Sequence, residues 1–248
     1  MSLRHHEIAE ARHRILNPFT EEKLRLLGEA ASANDGQRHL DLACGKGELA
    51  ALWARDHGTT GVGVDISQVF LDAARERAAE LGVARQLEFQ RGDAARYRAE
   101  PGGFDLVSCM GAAWIGGSLT GTLELMRGSL RAGGTLVLGE TFWRAEPSTE
   151  ACEVLETEPD DHLGLSATNE CFEAAGLELV EMVLASPDDW DRYVAAQWST
   201  ISDWLRAHPD HADAQDMSDF LRHSRTSYLA HGRELLGWGA FVLRDRRH

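Results

Sequence analysis

The stretch "HLDLACGKGELA" (residues 39–50) decides the fold. Apolar residues and an acid run to Leu42, and a turn containing Gly45 and Gly47 follows at once. Glycines there let the backbone turn sharply and come close to a ligand, and the small Ala50 lets the next helix pack on the strand. That makes a cofactor-binding elbow. Dinucleotides and other nucleosides both use one, so the rest of the chain must choose between them.

Working outward through the 248 residues, strands and helices alternate. Strand "HLDLA" (39–43) leads into a helix over 47–57, which Gly58 ends at its C′ position. A strand over 60–66 precedes a helix over 68–81, capped by Ser67, with Val69, Phe70, Ala73, Ala74 and Leu81 expected on its inner face. Strands over 87–93, 104–111 and 134–141 follow, with a helix near 118–131. Such alternation means βαβ units: an α/β, doubly wound, Rossmann-like parallel sheet with right-handed crossovers. The strands at 177–185 and 237–245 lack a glycine elbow between them and read as a last pair closed around a helical insertion over 186–236. Upstream, residues 5–16 are expected to be helical as far as Asn17-Pro18, and Thr20 reads as the cap of a second helix. Residues 1–35 thus form an N-terminal helical cap and residues 36–248 the main domain.

Forty acidic against twenty-five basic residues give a net charge of −15, which disfavours nucleic acid and anionic membrane as partners. With no apolar run of spanning length and a polar N-terminus, the chain is expected to be soluble and cytoplasmic, as a monomer or homodimer. Cys44, Cys109, Cys152 and Cys171 form no CxxC pair and read as reduced thiols. "HPDHAD" (208–213), with aspartates at 210, 213, 216 and 219, reads as a solvated acidic face, and no metal is expected.

Asp65 stands at the end of the second strand, where a carboxylate can accept hydrogen bonds from ribose hydroxyls. That keeps an NAD-dependent oxidoreductase as a rival reading. Two further acids shift the balance. Asp41 precedes the turn and faces its mouth, where it suits a cation better than a pyrophosphate. Asp93, in "RGDAA" (91–95), can take an adenine amino group. Three acids at three strand ends describe a pocket for a positively charged nucleoside, and S-adenosylmethionine is one.

The ordered set "LDLACGKGE", "GVDIS", "GDAA", "FDLVSCMGA" and "LRAGGTLVLGE" resembles the class I S-adenosylmethionine-dependent methyltransferases over residues 36–145. The final strand pair is similar to the antiparallel hairpin of that fold. More narrowly, "HRILNPFTEEK", "WARDHG", "GETFW", "DWDRY" and "GWGAFVL" resemble a group of bacterial small-molecule methyltransferases, most of them uncharacterised, over nearly the whole chain. The resemblance implies that Gly45 and Gly47, with Ala43 and Cys44 in the same turn, pass under the cofactor's methionine part. It implies Asp65 at the ribose, Ile66 beside it against the cofactor, Asp93 with Ala94 at the adenine, and the backbone of Cys109, Met110 and Gly111 at the amino-acid end. Ala43 stands where the family often has glycine, and an ordinary negative φ is expected there.

The acceptor side is read from position. "GETFWR" places Glu140, Trp143 and Arg144 just past the fifth strand. Glu140 can act as a general base or hold a substrate amine, or it can be a buried structural acid. Trp114 can wall the pocket, and Phe19, Tyr193 and Trp198 can close it. The insertion and the Asn17–Phe19 corner are expected to form one lid, with Phe19, Glu140 and Tyr193 lining a shared cavity. The resulting expectation is in-line methyl transfer to a small molecule, at an oxygen, nitrogen, sulfur or carbon atom. A silent cofactor-binding protein of the same fold is the alternative.

Overall fold

The computed structural model describes residues 2–246; Met1, Arg247 and His248, the ends of the two expected regions, lie outside the described residues. Seven strands form one sheet: β1 (Arg38–Leu42), β2 (Thr60–Asp65), β3 (Leu87–Arg91), β4 (Phe104–Met110), β5 (Leu130–Trp143), β6 (Leu177–Leu184) and β7 (Leu236–Asp245). Their order is β3-β2-β1-β4-β5-β7-β6. β1 to β5 run parallel, and β7 enters antiparallel between β5 and β6. This is the doubly wound sheet with a C-terminal antiparallel pair that the alternation predicts. The strand order reverses at β1 and β4, so their carboxyl ends open the crevice where such sheets bind ligands.

The helices are α1 (Leu3–Ala9), α2 (Glu21–Ala30), α3 (Glu48–His57), α4 (Gln68–Glu80), α5 (Leu119–Ser129), α6 (Thr149–Leu155), α7 (Leu165–Ala174), α8 (Pro187–Ala207) and α9 (Ala214–Ser227). Local chemistry sets their ends. The hydroxyls of Thr20, Ser67 and Ser118 accept from backbone N–H groups of the first turns, and Gly58 ends α3 in the left-handed region at φ +74°. One face of the sheet packs Leu24, Leu27, Leu52 and Trp53 of α2 and α3, and the other packs Leu123, Met126 and Phe172 of α5 and α7.

Two expectations change. The buried stripe of α4 is Phe70, Leu71, Ala74 and Ala78, whereas Val69, one residue off it, is 52% exposed. The first helix stops at Ala9 rather than Leu16. Beyond it the chain leaves the helix, and the ammonium of Lys46 donates to the carbonyls of Glu10 (2.7 Å), Ala11 (3.1 Å) and His13 (2.6 Å). These carbonyls take the lysine's hydrogens in place of the i+4 amide hydrogens that would continue the helix.

Candidate active site

The turn after β1 carries the expected glycines in left-handed conformation, Gly45 at φ +54° and Gly47 at +66°. Ala43 corrects the sequence reading, because it too is left-handed, at φ +57°. The neighbouring bonds hold it there. Cys44 N donates to Val64 O (3.0 Å), Gly47 N to Cys44 O (2.9 Å), and Gly45 N to Asp65 Oδ2 (2.8 Å). A left-handed alanine costs about 1–2 kcal/mol, and the extra freedom of an unfolded glycine offsets part of any gain. Ala43→Gly is therefore expected to raise unfolding stability by about 0.5–1 kcal/mol, measured by urea denaturation; a loss would mean that the methyl group packs favourably.

Over the carboxyl ends of β1 to β4 lies a cavity of about 400 Å³. Asp41, Ala43, Cys44, Gly45, Asp65, Ile66, Asp93, Ala94, Met110 and Gly111 all line it. Gly47 and Cys109 lie outside that lining. A Cβ on Gly47 would come within 2.8 Å of Phe89 and Ala74, so this glycine serves the packing of α3 and α4 beneath the turn. Cys109 is buried in β4, its thiol 3.5 Å from Ala112 O.

The acids are strained electrostatically. Asp41 is 2% exposed, and burial, with the charge of Asp65 nearby, pushes its pKa up to about 7 against the pull of a Ser108 hydrogen bond. Burial also raises Asp65, although its two oxygens accept from Gly45 N and Ser67 N at 2.8 Å each. The thiols are pushed up by burial and by nearby carboxylates, Asp41 and Asp65 for Cys44 and Asp41 and Glu140 for Cys109, so both stay neutral. Asp93 is the least enclosed: it caps the turn at Ala95 N and lies 3.4 Å from Arg96. A cation bound here relieves two crowded carboxylates, whereas a pyrophosphate would face three.

The roof differs from the expected lid. It is the N-terminal segment, with Leu3, His6, Arg14, Ile15, Leu16 and Asn17 on the cavity wall. Leu16 lies so close over Gly45 that a Cβ there would meet it at 2.7 Å. The insertion is the brace behind this roof. Tyr193 Oη sits 2.6 Å from Glu10 Oε1, Gln197 Nε2 donates to the same oxygen at 2.6 Å, and Arg12 pairs with Asp203. Ile8 and Ala9 pack on Ile201, Met217 and Leu221 of α8 and α9. The amphipathic stripe of α8 is therefore spent on the N-terminal segment rather than on the cavity.

Phe19, Glu140 and Tyr193 do not share a cavity. Phe19 packs edge-on against Trp238 at 4.5 Å, and Trp198 binds Ser224 and packs on Tyr228. Glu140 is half-buried in β5, bonded to Thr141 N, and raised to about 7 by burial. Trp143 and Arg144 line a separate cleft with His162 and Leu165. Of the acceptor candidates, Trp114 alone lines the cavity over β1 to β4, and it is 68% exposed at the mouth. Sequence reasoning missed Lys46 and Leu16; a lone lysine between two turn glycines was the available signal for the first.

Comparison with known proteins settles the cofactor class. Residues 40–134 match the methyltransferase domain family. The chain is 44% identical over 240 residues to the uncharacterized protein YjhP of Escherichia coli (strain K12), covering 95% of this chain and 96% of that one. It is 43% identical to a SAM-dependent methyltransferase from Geobacter sulfurreducens solved in complex with S-adenosyl-L-homocysteine, with a TM-score of 0.94 over 99% of both chains. A SAM-dependent methyltransferase from Thiobacillus denitrificans, also solved with S-adenosyl-L-homocysteine, is 44% identical with a TM-score of 0.92 over 97% of both. The dinucleotide reading of the elbow falls with these likenesses, and the chain belongs to the S-adenosylmethionine-dependent methyltransferases.

Proposed function

We propose that the protein transfers a methyl group to a small-molecule acceptor that enters beside Trp114. The closed shape of the site carries this reading. Leu3, His6 and residues 14–17 roof much of a cavity of about 400 Å³, in the range of small-molecule sites. The charge of −15 opposes a nucleic-acid acceptor. The four cysteines are unpaired, which supports a cytoplasmic working place. No described helix is long and apolar enough to cross a membrane.

The lining suits the cofactor residue by residue. After its two backbone bonds Asp65 keeps further lone pairs, which are offered to the ribose hydroxyls. Ile66, 56% exposed on the same wall, and Ala94 with Asp93 take the adenine. Asp41 faces the ammonium, with Gly45, Met110 and Gly111 around the amino-acid end. When bound, S-adenosylmethionine supplies a methyl carbon that an acceptor lone pair attacks in line, the sulfur keeping the electron pair. The chain's own work is alignment and exclusion of water, by the turn below and the N-terminal segment above. Trp114 offers an exposed flat wall to the acceptor.

A panel of small acceptors with S-adenosylmethionine tests the reading through release of S-adenosylhomocysteine. Turnover with a small molecule, and none with RNA or protein fractions, is expected; methylation of a macromolecule alone overturns it. Asp65→Asn is expected to weaken S-adenosylhomocysteine binding about 10- to 30-fold, the value of a charge-assisted hydrogen bond. Unchanged affinity by calorimetry would leave Asp65 as a brace of the turn only.

A further inference from the structure

Behind the cavity wall, three polar side chains form a hydrogen-bonded line through the sheet. His39 and Asp41 lie two residues apart on one face of β1, and Ser108 of β4 is the register partner of Asp41. His39 Nε2 is 2.7 Å from Ser108 Oγ, and Ser108 Oγ donates to Asp41 Oδ1 at 2.6 Å. All three are at most 2% exposed. Trp53 covers His39, ring centroids 4.7 Å apart, and is itself fixed by donation to Leu24 O. Only Asp41 reaches the cavity.

The protons along this line have one consistent arrangement. Ser108 has a single hydroxyl hydrogen and gives it to Asp41, so its oxygen must accept from His39. Neutral His39 then carries its hydrogen on Nε2. Its Nδ1 has no partner among the described residues. Left as a bare acceptor it is tolerable, whereas a hydrogen there would be an orphaned buried donor, the rarer and costlier case. Burial also keeps His39 neutral by holding its pKa down to about 3. The line therefore points one way, from His39 through Ser108 into Asp41.

We propose that His39 and Ser108 are positioning residues for cofactor binding: they hold Asp41 as a carboxylate, with Oδ1 occupied and Oδ2 left for the cofactor's ammonium. This rests on the reading of Asp41 as the ammonium's partner. Among neighbouring groups Asp65 pushes Asp41 toward its protonated form, and the neutral thiols of Cys44 and Cys109 add no charge. Across the cavity Lys46 is committed to three carbonyls, Arg14 lies 3.9 Å from Glu48, and Glu48 is held by Arg77. Asp93 lies by Arg96, and His6 packs on Phe70. The Ser108 bond is thus the local interaction that favours the charged form.

The test is the pH dependence of S-adenosylhomocysteine affinity from about pH 5.5 to 8.5, by calorimetry on the full chain. In the wild type, affinity rises as Asp41 ionises and then levels off. Ser108→Ala is expected to move that midpoint up by about one pH unit, a loss of about five- to tenfold below neutral pH. 5′-Methylthioadenosine lacks the amino-acid end, and its binding should not change. His39→Gln, whose amide can still donate to Ser108, should keep the wild-type midpoint, while His39→Leu shifts it upward. Comparing variants in one background cancels the titration of Asp65. An unmoved midpoint in Ser108→Ala, or equal losses for both ligands, overturns the proposal. Asp41→Asn separates the two levels: if it alters neither affinity nor profile, the assignment of Asp41 itself has failed.

Discussion

Lys46→Met is expected to weaken S-adenosylhomocysteine binding about 100-fold while leaving the sheet intact. Lys46 is 8% exposed, and its ammonium gives its three hydrogens to the carbonyls of Glu10, Ala11 and His13. Hydrogen bonds to a charged donor are worth about 1.5–3 kcal/mol each, and the desolvation of the lysine, visible as a lowered pKa, offsets a good part of the sum. A net of about 3 kcal/mol for the closed roof corresponds to a factor of roughly 100 in affinity. Methionine fills the stem's space without the charge. The freed carbonyls then regain partners only if water enters, so the segment opens. Amide exchange over residues 3–17 should accelerate, and the loss should fall mostly on the dissociation rate. Slow exchange with unchanged affinity would show that Tyr193, Gln197 and the apolar contacts of α1 hold the roof without Lys46.

This dependence explains what the sequence could and could not say. The elbow, the three strand-end acids and the alternating elements are local patterns, and each acts on its immediate neighbours. They were legible, and the structure gathers them on one cavity wall. The helical insertion was legible too, but helical spacing does not name what a helix covers. Its partner is a segment some 180 residues away in sequence, joined by Tyr193 and Gln197 to Glu10. Lys46 is the same case in reverse. Its partners are backbone carbonyls, which every residue carries, so no residue type announces them. Ala43 was misread because its conformation is imposed by bonds of Cys44, Gly45 and Gly47 rather than chosen by its own side chain.

Glu140 carries the remaining ambiguity, and Glu140→Gln is expected to resolve it through stability. The side chain rises from β5 opposite Gly239, accepts from Thr141 N at 2.7 Å, and stays off the cavity over β1 to β4. Burial lifts its pKa from the model-peptide region to about 7. The folded chain therefore keeps a proton there that the unfolded chain releases near pH 4.5. Between those two values the native state binds more protons, so its stability falls as pH rises, by about 1.4 kcal/mol per unit for a single group. Above about pH 7 both states are ionised and the loss is complete. Glutamine keeps an oxygen for Thr141 N and has no charge to bury. The variant should match the wild type near pH 4.5 and exceed it at pH 8 by about 2–3 kcal/mol, in chemical denaturation without cofactor. Asp41, with its own raised pKa, leaves a residual slope in both proteins. A structural acid also predicts turnover within a few-fold of wild type once an acceptor is in hand. If Glu140→Gln instead gains nothing at pH 8 and loses about 100-fold or more in turnover, as removal of a general base does, then Glu140 meets the acceptor, and the cavity must extend past Met110 toward β5 when the cofactor is bound.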